Sequence, residues 1–556
     1  MKTKNKKNIF VILFAVMLGA TSCDSFLDNP LNSSITGQSL TSDNLSALTA
    51  PLYNKVWFDF NDKFAYGLGD GMSYNLRTPS SDYIYPFGDL QINGLTGPLA
   101  SAWSSFYQVV QQSNTVMKSI AESSADQATK DQYTAEARFM RGTAYWHLAA
   151  LWQNVPIVED PVAVAQNPQL PPNQLKDVFE FAIRDLEFAA KYLPETPPAV
   201  GRVTKYSAFG MLSRLYLAYS GLVASNYGQN PNVGTRDPGY LDLAKKAAEK
   251  VINNGQYKLM ANYPDLFKVE NNNNSESLFA FQWVPGLTAD TGYGSVNSQQ
   301  AFFAVNSAIT GDQSGWGGDD WCSYDMITEY ESNDSIRRKA TWMGYGDSYP
   351  EINGGYTYTL NESSTISGTS TGLNIKKGVV GIIAGKTGYQ NSALDNYMLR
   401  LAEVYLNYAE AILGNDASTS DATALQYFNA VRTRAGLAPK TSISYEDIRK
   451  ERRIEFCMEG RYWYDLVSRA YYKQQEVIDY INVKQNRGVI PPFVFKAPNY
   501  VAIDGNSSSG TRAVGTATAA TFKLPYPETD LIIDVQLGGD PVPYTFTEDK
   551  ITDLFQ

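Results

Sequence analysis

The densest run of residues able to do chemistry is Glu451-Arg452-Arg453-Ile454-Glu455, followed by Glu459. At helical spacing these carboxylates and guanidiniums could imitate an acid/base site. Arg–carboxylate pairing between this helix and its neighbours explains the same residues with fewer demands. Arg138 and Arg141, on either side of Phe139, read the same way. His147 is the single histidine, set among Trp146, Leu148 and Trp152, and reads as a packed, hydrogen-bonded side chain. One histidine argues against His-based triads and His-rich metal sites, and three cysteines cannot make a disulfide framework. Asp319 and Asp320, with Asp312 and Asp325, could offer hard oxygen ligands to Ca2+, but their spacing fits no EF-hand loop. No other cofactor is implied, and no catalytic motif announces itself.

The rings point to binding instead. With 37 Tyr, 25 Phe and 9 Trp, the chain has more aromatic side chains than its core needs, so some face solvent. A ring platform flanked by Asp, Asn, Gln or Arg matches a sugar, whose C–H face is apolar and whose rim is hydroxyl. Two stretches carry that combination. The first holds Asp70, Tyr74, Asn75, Arg77, Asp82, Tyr83 and Tyr85. The second holds Trp283, Tyr293, Asn297, Gln299, Phe302, Trp316, Asp319, Asp320 and Trp321. Trp316 is the foremost candidate, because Ser314-Gly315-Trp316-Gly317-Gly318 leaves its ring few neighbours to pack on. For the other rings, closing a loop core competes with touching a ligand.

These stretches must hang on something rigid. Apolar spacings of three and four predict helices from about 98 to 120 and over Asp131–Trp152, Leu175–Leu193, Tyr206–Tyr219, Tyr240–Asn253, Tyr397–Leu413 and Ala422–Arg434. Small residues such as Ala244, Ala247 and Ala248, or Ala409, Ala411 and Ala424, let paired helices approach as in tetratricopeptide units. The expected fold is mainly α: a helix-pair scaffold over about 98–255 and 396–480. A loop-rich binding region with short strands, one at Ser277–Val284, covers about 60–97 and 256–395. An irregular C-terminal region covers about 490–556. Residues 51–556 read as a single unit.

The net charge is −11, which repels phosphate backbones and argues against nucleic acid as a partner. Lys2, Lys4, Lys6 and Lys7 precede an apolar run, Ile9–Leu18, of signal-peptide length. Gly19-Ala20-Thr21-Ser22 before Cys23 resembles a bacterial lipobox. The reading is a lipoprotein signal peptide at 1–22 and an acylated Cys23 at the head of a tether and N-terminal segment, 23–50. Two or three acyl chains, at ~0.8 kcal/mol per buried CH2, make a stable membrane anchor.

Four landmarks then coincide. Cys23-Asp24-Ser25-Phe26-Leu27-Asp28-Asn29-Pro30 resembles C-x-x-F-L-D-x-x-P. Trp103 to Tyr107, with Asn114, resembles W-x-x-x-Y…N. Glu136-Ala137-Arg138-Phe139-Met140-Arg141 through Tyr145 to Val155-Pro156-Ile157-Val158 resembles E-A-R-F-L-R-A-x-x-Y…V-P-L-V. Ile448 to Phe456, then Glu459-Gly460 and Asp465-Leu466, resembles I-R-x-E-R-R-x-E-F-x-x-E-G-x-R-W-x-D-L. Together, and in this order, they resemble the SusD/RagB family of outer-membrane nutrient-binding lipoproteins. The departures are Tyr462 where that pattern has Arg, with Arg461 one place earlier, and a closing pattern met only in Pro525-Tyr526-Pro527-Glu528. The resemblance implies an outward-facing, lipid-anchored glycan- or oligosaccharide-binding protein without turnover. It also implies a SusC-like TonB-dependent transporter as partner, which the lipoprotein covers like a lid. A peptide ligand in a deep cavity, a surface glycosidase and a purely structural lid are the alternatives.

Overall fold

The structure, a computed structural model, describes residues 40–79, 82–283, 296–311, 315–359, 372–384, 390–485, 487, 493–496, 499–502 and 514–556. The leader, Cys23 and the start of the tether lie outside the described residues.

The fold is helical with short strands, as the periodicity predicts. Gly97–Glu122 and Gln127–Trp152 form the first hairpin, and Leu175–Tyr192, Lys205–Ala224 and Pro238–Ile252 continue the stack. Four of the five begin where the sequence supplies a start signal: Asp126, Thr204 and Asp237 accept from the first-turn N–H groups, and Pro98 and Pro238 sit where an N–H would be unpaired anyway. Ala244, Ala247 and Ala248 are buried where Pro238–Ile252 meets Lys205–Ala224. Leu401–Leu413 and Ala422–Arg434 form the late pair, and Ala402, Ala409, Ala424 and Phe428 close a smaller core with Ile443 and Ile448 on and beside the Tyr445–Glu455 helix. Among the described residues no helix is long and apolar enough to cross a membrane.

Two segments differ from their sequence pattern. The late helix starts at Leu401, not Tyr397: Asn396–Arg400 is a strand antiparallel to Ser277–Phe281, with Phe281 opposite Asn396 and Ala280 opposite Tyr397. Tyr397-Met398-Leu399 is a continuous buried run, and it fuses with the helical pattern that follows. Residues 60–72, read as loop, are wound into buried π-type turns, Phe60–Phe64 and Gly67–Met72. A five-residue repeat hides from a search for spacings of three and four. Gly69 is required there, since a Cβ would stand 2.2 Å from the backbone of Gly460, itself at φ +72°.

The charged cluster of the Tyr445–Glu455 helix is structural. Glu455 is wholly buried among Arg337, Arg400 and Arg434; Arg337 also pairs with Asp334 at 2.6 Å and Arg400 with Glu459 at 2.8 Å. Burial alone would raise the Glu455 carboxyl, but these guanidiniums hold it near 2. Arg453 pairs with Asp325 at 2.7 Å and Glu329 at 3.0 Å, and donates to the Asn75 side chain at 2.8 Å. These contacts bolt the 256–395 insertion to the scaffold. Arg138 and Arg141 both bind Asp185, and His147 is buried, stacked on Phe106 and hydrogen-bonded to the Tyr464 hydroxyl. Burial, then Arg461 and Arg214, push its pKa down, so the ring stays neutral.

The C-terminal segment runs back across the early helices. Trp152 Nε1 donates to the Pro525 carbonyl, the Gln174 N–H to that of Val542, and Phe555 packs on Phe209.

Candidate functional site

A small antiparallel sheet places the two candidate stretches side by side. Its strands run in the order Leu76–Arg77, Trp321–Cys322, Asn374–Ile375, Trp342–Met343. Arg77 lies opposite Trp321, so the chain leading to Tyr83 and the chain arriving from Trp316 meet at one edge. The Asn374 side chain donates to the carbonyls of Gly317, Gly318 and Asp320, fixing the turn between ring and strand.

Glycines set the position of Trp316. Its N–H donates to the Ala301 carbonyl and that of Gly317 to the Ala304 carbonyl, both at 2.9 Å. A Cβ at Gly315 would lie 2.1 Å from the Ala304 oxygen, so the loop lies flush on the Gln299–Phe303 helix only because that position is bare. With the backbone pressed down, the Trp316 ring stands outward, 48% exposed, its centroid 5.4 Å from that of half-buried Phe302. Lys63, on the Phe60–Phe64 turn, places its ammonium 4.5 Å from the Phe302 ring and 5.8 Å from that of Tyr83, which is 71% exposed. Trp316, Phe302, Lys63 and Tyr83 therefore form one ridge.

Carboxylates flank it. Asp319 is exposed in the turn after Trp316, and Asp82 precedes Tyr83. Asp82 accepts from the Ile84 N–H; burial first, and the Asp319 charge after it, raise its pKa. Asp320 is buried, with its pKa raised by burial and then by Asp82 and Asp319, and its Oδ1 has no hydrogen-bond partner among the described residues. Acceptors thus crowd one side of the ridge, and Lys63, held by Asp62, supplies a donor at its centre.

The other candidates are placed differently. Trp283 is 5% exposed: it packs against Phe58 and Phe281 and donates to the Asn396 side chain at 2.7 Å. Trp321 is 7% exposed and donates to the Gly318 carbonyl. Arg77 is buried in the sheet with Nη1 3.4 Å from the Tyr74 hydroxyl. Asn297 is buried and bridges to Ser392 and Leu394, while Tyr85 is half-buried at the start of a short helix, Tyr85–Gly88. Asp70 and Asn75 are buried together, Asp70 accepting from the N–H groups of Met458 and Gly460. These side chains are tied into the core or the sheet rather than presented on the ridge. Tyr293 and Asp312 lie outside the described residues, and Asp325 is committed to Arg453. Among the described residues no group of three or more His, Cys, Asp or Glu side chains converges to hold a metal ion. Lys63 escaped the sequence analysis because a lone lysine between two phenylalanines carries no signal until the turn is wound.

Comparisons with known proteins agree with this architecture. A model of the SusD family matches residues 227–501, and a second, described as starch-binding associating with outer membrane, matches 84–217. The chain is 38% identical to a SusD-like protein of Bacteroides ovatus over 574 residues, covering 98% of this chain and 99% of that one. It is 25% identical over 398 residues to SusD-like protein P2 of Formosa agariphila, covering 66% of this chain and 71% of that one. A crystal structure solved with a xylogluco-oligosaccharide superposes with a TM-score of 0.81 at 38% identity, covering 91% of this chain and 100% of the other.

Proposed function

The chain belongs to the SusD family, and we propose that it is a lipid-anchored receptor of the bacterial outer membrane. In this reading it binds oligosaccharide on the Tyr83–Lys63–Phe302–Trp316 ridge and passes it intact to a SusC-like TonB-dependent transporter. The observation that carries this reading is the exposed Trp316 ring held beside Phe302 on a backbone that permits no slack. The exposed rings take the C–H faces of the sugar, an apolar contact of the kind aromatic side chains make best. Asp82 and Asp319 accept from hydroxyls on the rim, and the Lys63 ammonium donates to ring or hydroxyl oxygens.

The buried glutamate cluster offers no catalytic pair. Hydrolysis needs two acids free to flank one glycosidic bond. Glu451, Glu455 and Glu459 are tied to Arg337, Arg400, Arg432 and Lys377 instead. The relative solved with a xylogluco-oligosaccharide makes that class the first to test. Calorimetric titration of lipid-free protein with xylogluco-oligosaccharides, then a glycan array, should give saturable binding with the sugars recovered uncut. Shortened products would replace the receptor reading with an enzyme, and an array without a hit would remove glycan as the ligand.

A further inference from the structure

Arg461, which caps the start of the Tyr462–Asp479 helix, is a buried cation without a counter-ion. The residue is 5% exposed. Its Nη2 donates to the Tyr397 carbonyl at 2.8 Å and lies 3.6 Å from the Met398 sulfur. Its Nε and Nη1 have no partner, and no carboxylate pairs with it, among the described residues. Glu403 and Glu459 lie near enough to act on its charge, but two cations already share each of them. Glu403 accepts from Arg214 at 2.5 and 2.6 Å and has Arg452 at 3.6 Å. Glu459 pairs with Arg400 at 2.8 Å and Lys377 at 2.9 Å.

Arg461 lines a cavity of about 50 Å3 within the scaffold, together with Arg214, Arg452, Glu403 and Asp465. Asp465 belongs to Arg452 at 2.7 Å, so three guanidiniums stand there against two carboxylates. The other charges along the cavity are matched: Glu410 by Arg236, Arg449 by Glu446 and Arg469 by Glu476. Burial first, and the Arg214 charge after it, push Arg461 down to about 10. A guanidinium nevertheless stays ionised at neutral pH, and a buried charge left unpaired is strongly destabilising. Water alone would solvate Arg461 and leave the excess charge in place. The volume admits a few water-sized spheres, which suits a monatomic ion and excludes a sugar acid or a nucleotide. We propose that this cavity holds a buried chloride, accepting from the free N–H groups of Arg461 and balancing the surplus guanidinium. The ion would tie the Asn396–Arg400 strand, through the Tyr397 carbonyl and Arg461, to the Tyr462–Asp479 helix. The site does not rest on the glycan reading, since no residue of the ridge lines it.

Melting of the purified lipid-free protein in sodium chloride, sodium bromide and sodium gluconate at equal ionic strength tests it. Gluconate is too large for the cavity, so chloride and bromide should raise the melting temperature above it, saturably and by about 1–3 °C. Crystals grown in bromide should show an anomalous peak against the Arg461 guanidinium. Arg461→Met removes the surplus cation and should erase the chloride shift, whereas Trp316→Ala should keep it. If Arg461→Met does not fold, the bromide peak in the unaltered protein decides alone. The proposal is overturned if chloride and gluconate give equal melting, if water and no bromide lies at Arg461, if the chloride shift survives in Arg461→Met, or if Trp316→Ala abolishes it.

Discussion

Gly317 is pressed so closely on Phe303 that a Cβ would stand 2.3 Å from the Phe303 carbonyl oxygen. Gly317→Ala must therefore lift the turn and swing the Trp316 ring, although residue 317 offers no side chain to a sugar. Calorimetry should show glycan affinity reduced about as much as by Trp316→Ala, roughly 0.5–1.5 kcal/mol, with circular dichroism unchanged. Full affinity in Gly317→Ala would mean that the ring's position is not set by this turn.

Exposed and buried rings should behave oppositely. Trp316→Ala and Tyr83→Ala should each weaken glycan binding by about 0.5–1.5 kcal/mol and leave melting unchanged. Trp283→Ala opens a hole beside Phe58 and Phe281 and orphans the Asn396 acceptor, so it should cost about 3–5 kcal/mol of stability. Paired melting and binding curves separate the two classes.

The contrast shows what the sequence could carry. The helices ending at Trp152 and Ala224 were legible because a 3.6-residue stripe is a local signal, although the caps Asp126 and Thr204 stand ahead of the starts read at Asp131 and Tyr206. Trp316 was legible because its glycine neighbours are local too. Trp283 and Trp321 were not separable from it: their burial depends on Phe58, Asn396 and Arg77, which are distant in sequence. Lys63 joins Tyr83 to Phe302 across more than two hundred residues of chain, a relation that no window of residues contains.

Arg453→Ala strands Asp325 and leaves Glu329 with Arg449 alone. Removing one partner from a buried pair costs about 3–5 kcal/mol. Denaturant titration should show that loss, while glycan affinity of the folded fraction stays unchanged. Selective loss of binding with normal stability would move Arg453 into the site.

Acid titration should reveal two opposing groups. Burial raises Asp70 to about 6 and Asp395 and Glu187 to about 7. The native state holds those protons where the unfolded chain, with carboxyls near 4, has lost them. Their stabilisation is present below about pH 4 and fades as pH rises through 6 to 7. Glu403 and Glu455 behave in reverse. Burial would raise them, but arginines hold both near 2, so their stabilisation is present above about 4.5 and fades toward pH 2. Melting temperature should peak at mildly acidic pH, and Asp395→Asn should flatten the limb above the peak. A monotonic rise to pH 8 would contradict these assignments.

Cys23→Ala should release the protein from the membrane fraction into a soluble one. Retention by the membrane after carbonate washing would refute acylation of Cys23.

The buried charges around Glu455 also decide how selectivity can arise. Arg337 from the insertion and Arg400 and Arg434 from the scaffold share one carboxylate, so neither half can slacken without stranding the other's charge. Heating should melt both in one cooperative step. A sugar binding on the ridge would then meet a contour cast beforehand: unsuitable branches would be refused by misfit against it, with little free energy spent on reshaping the receiver.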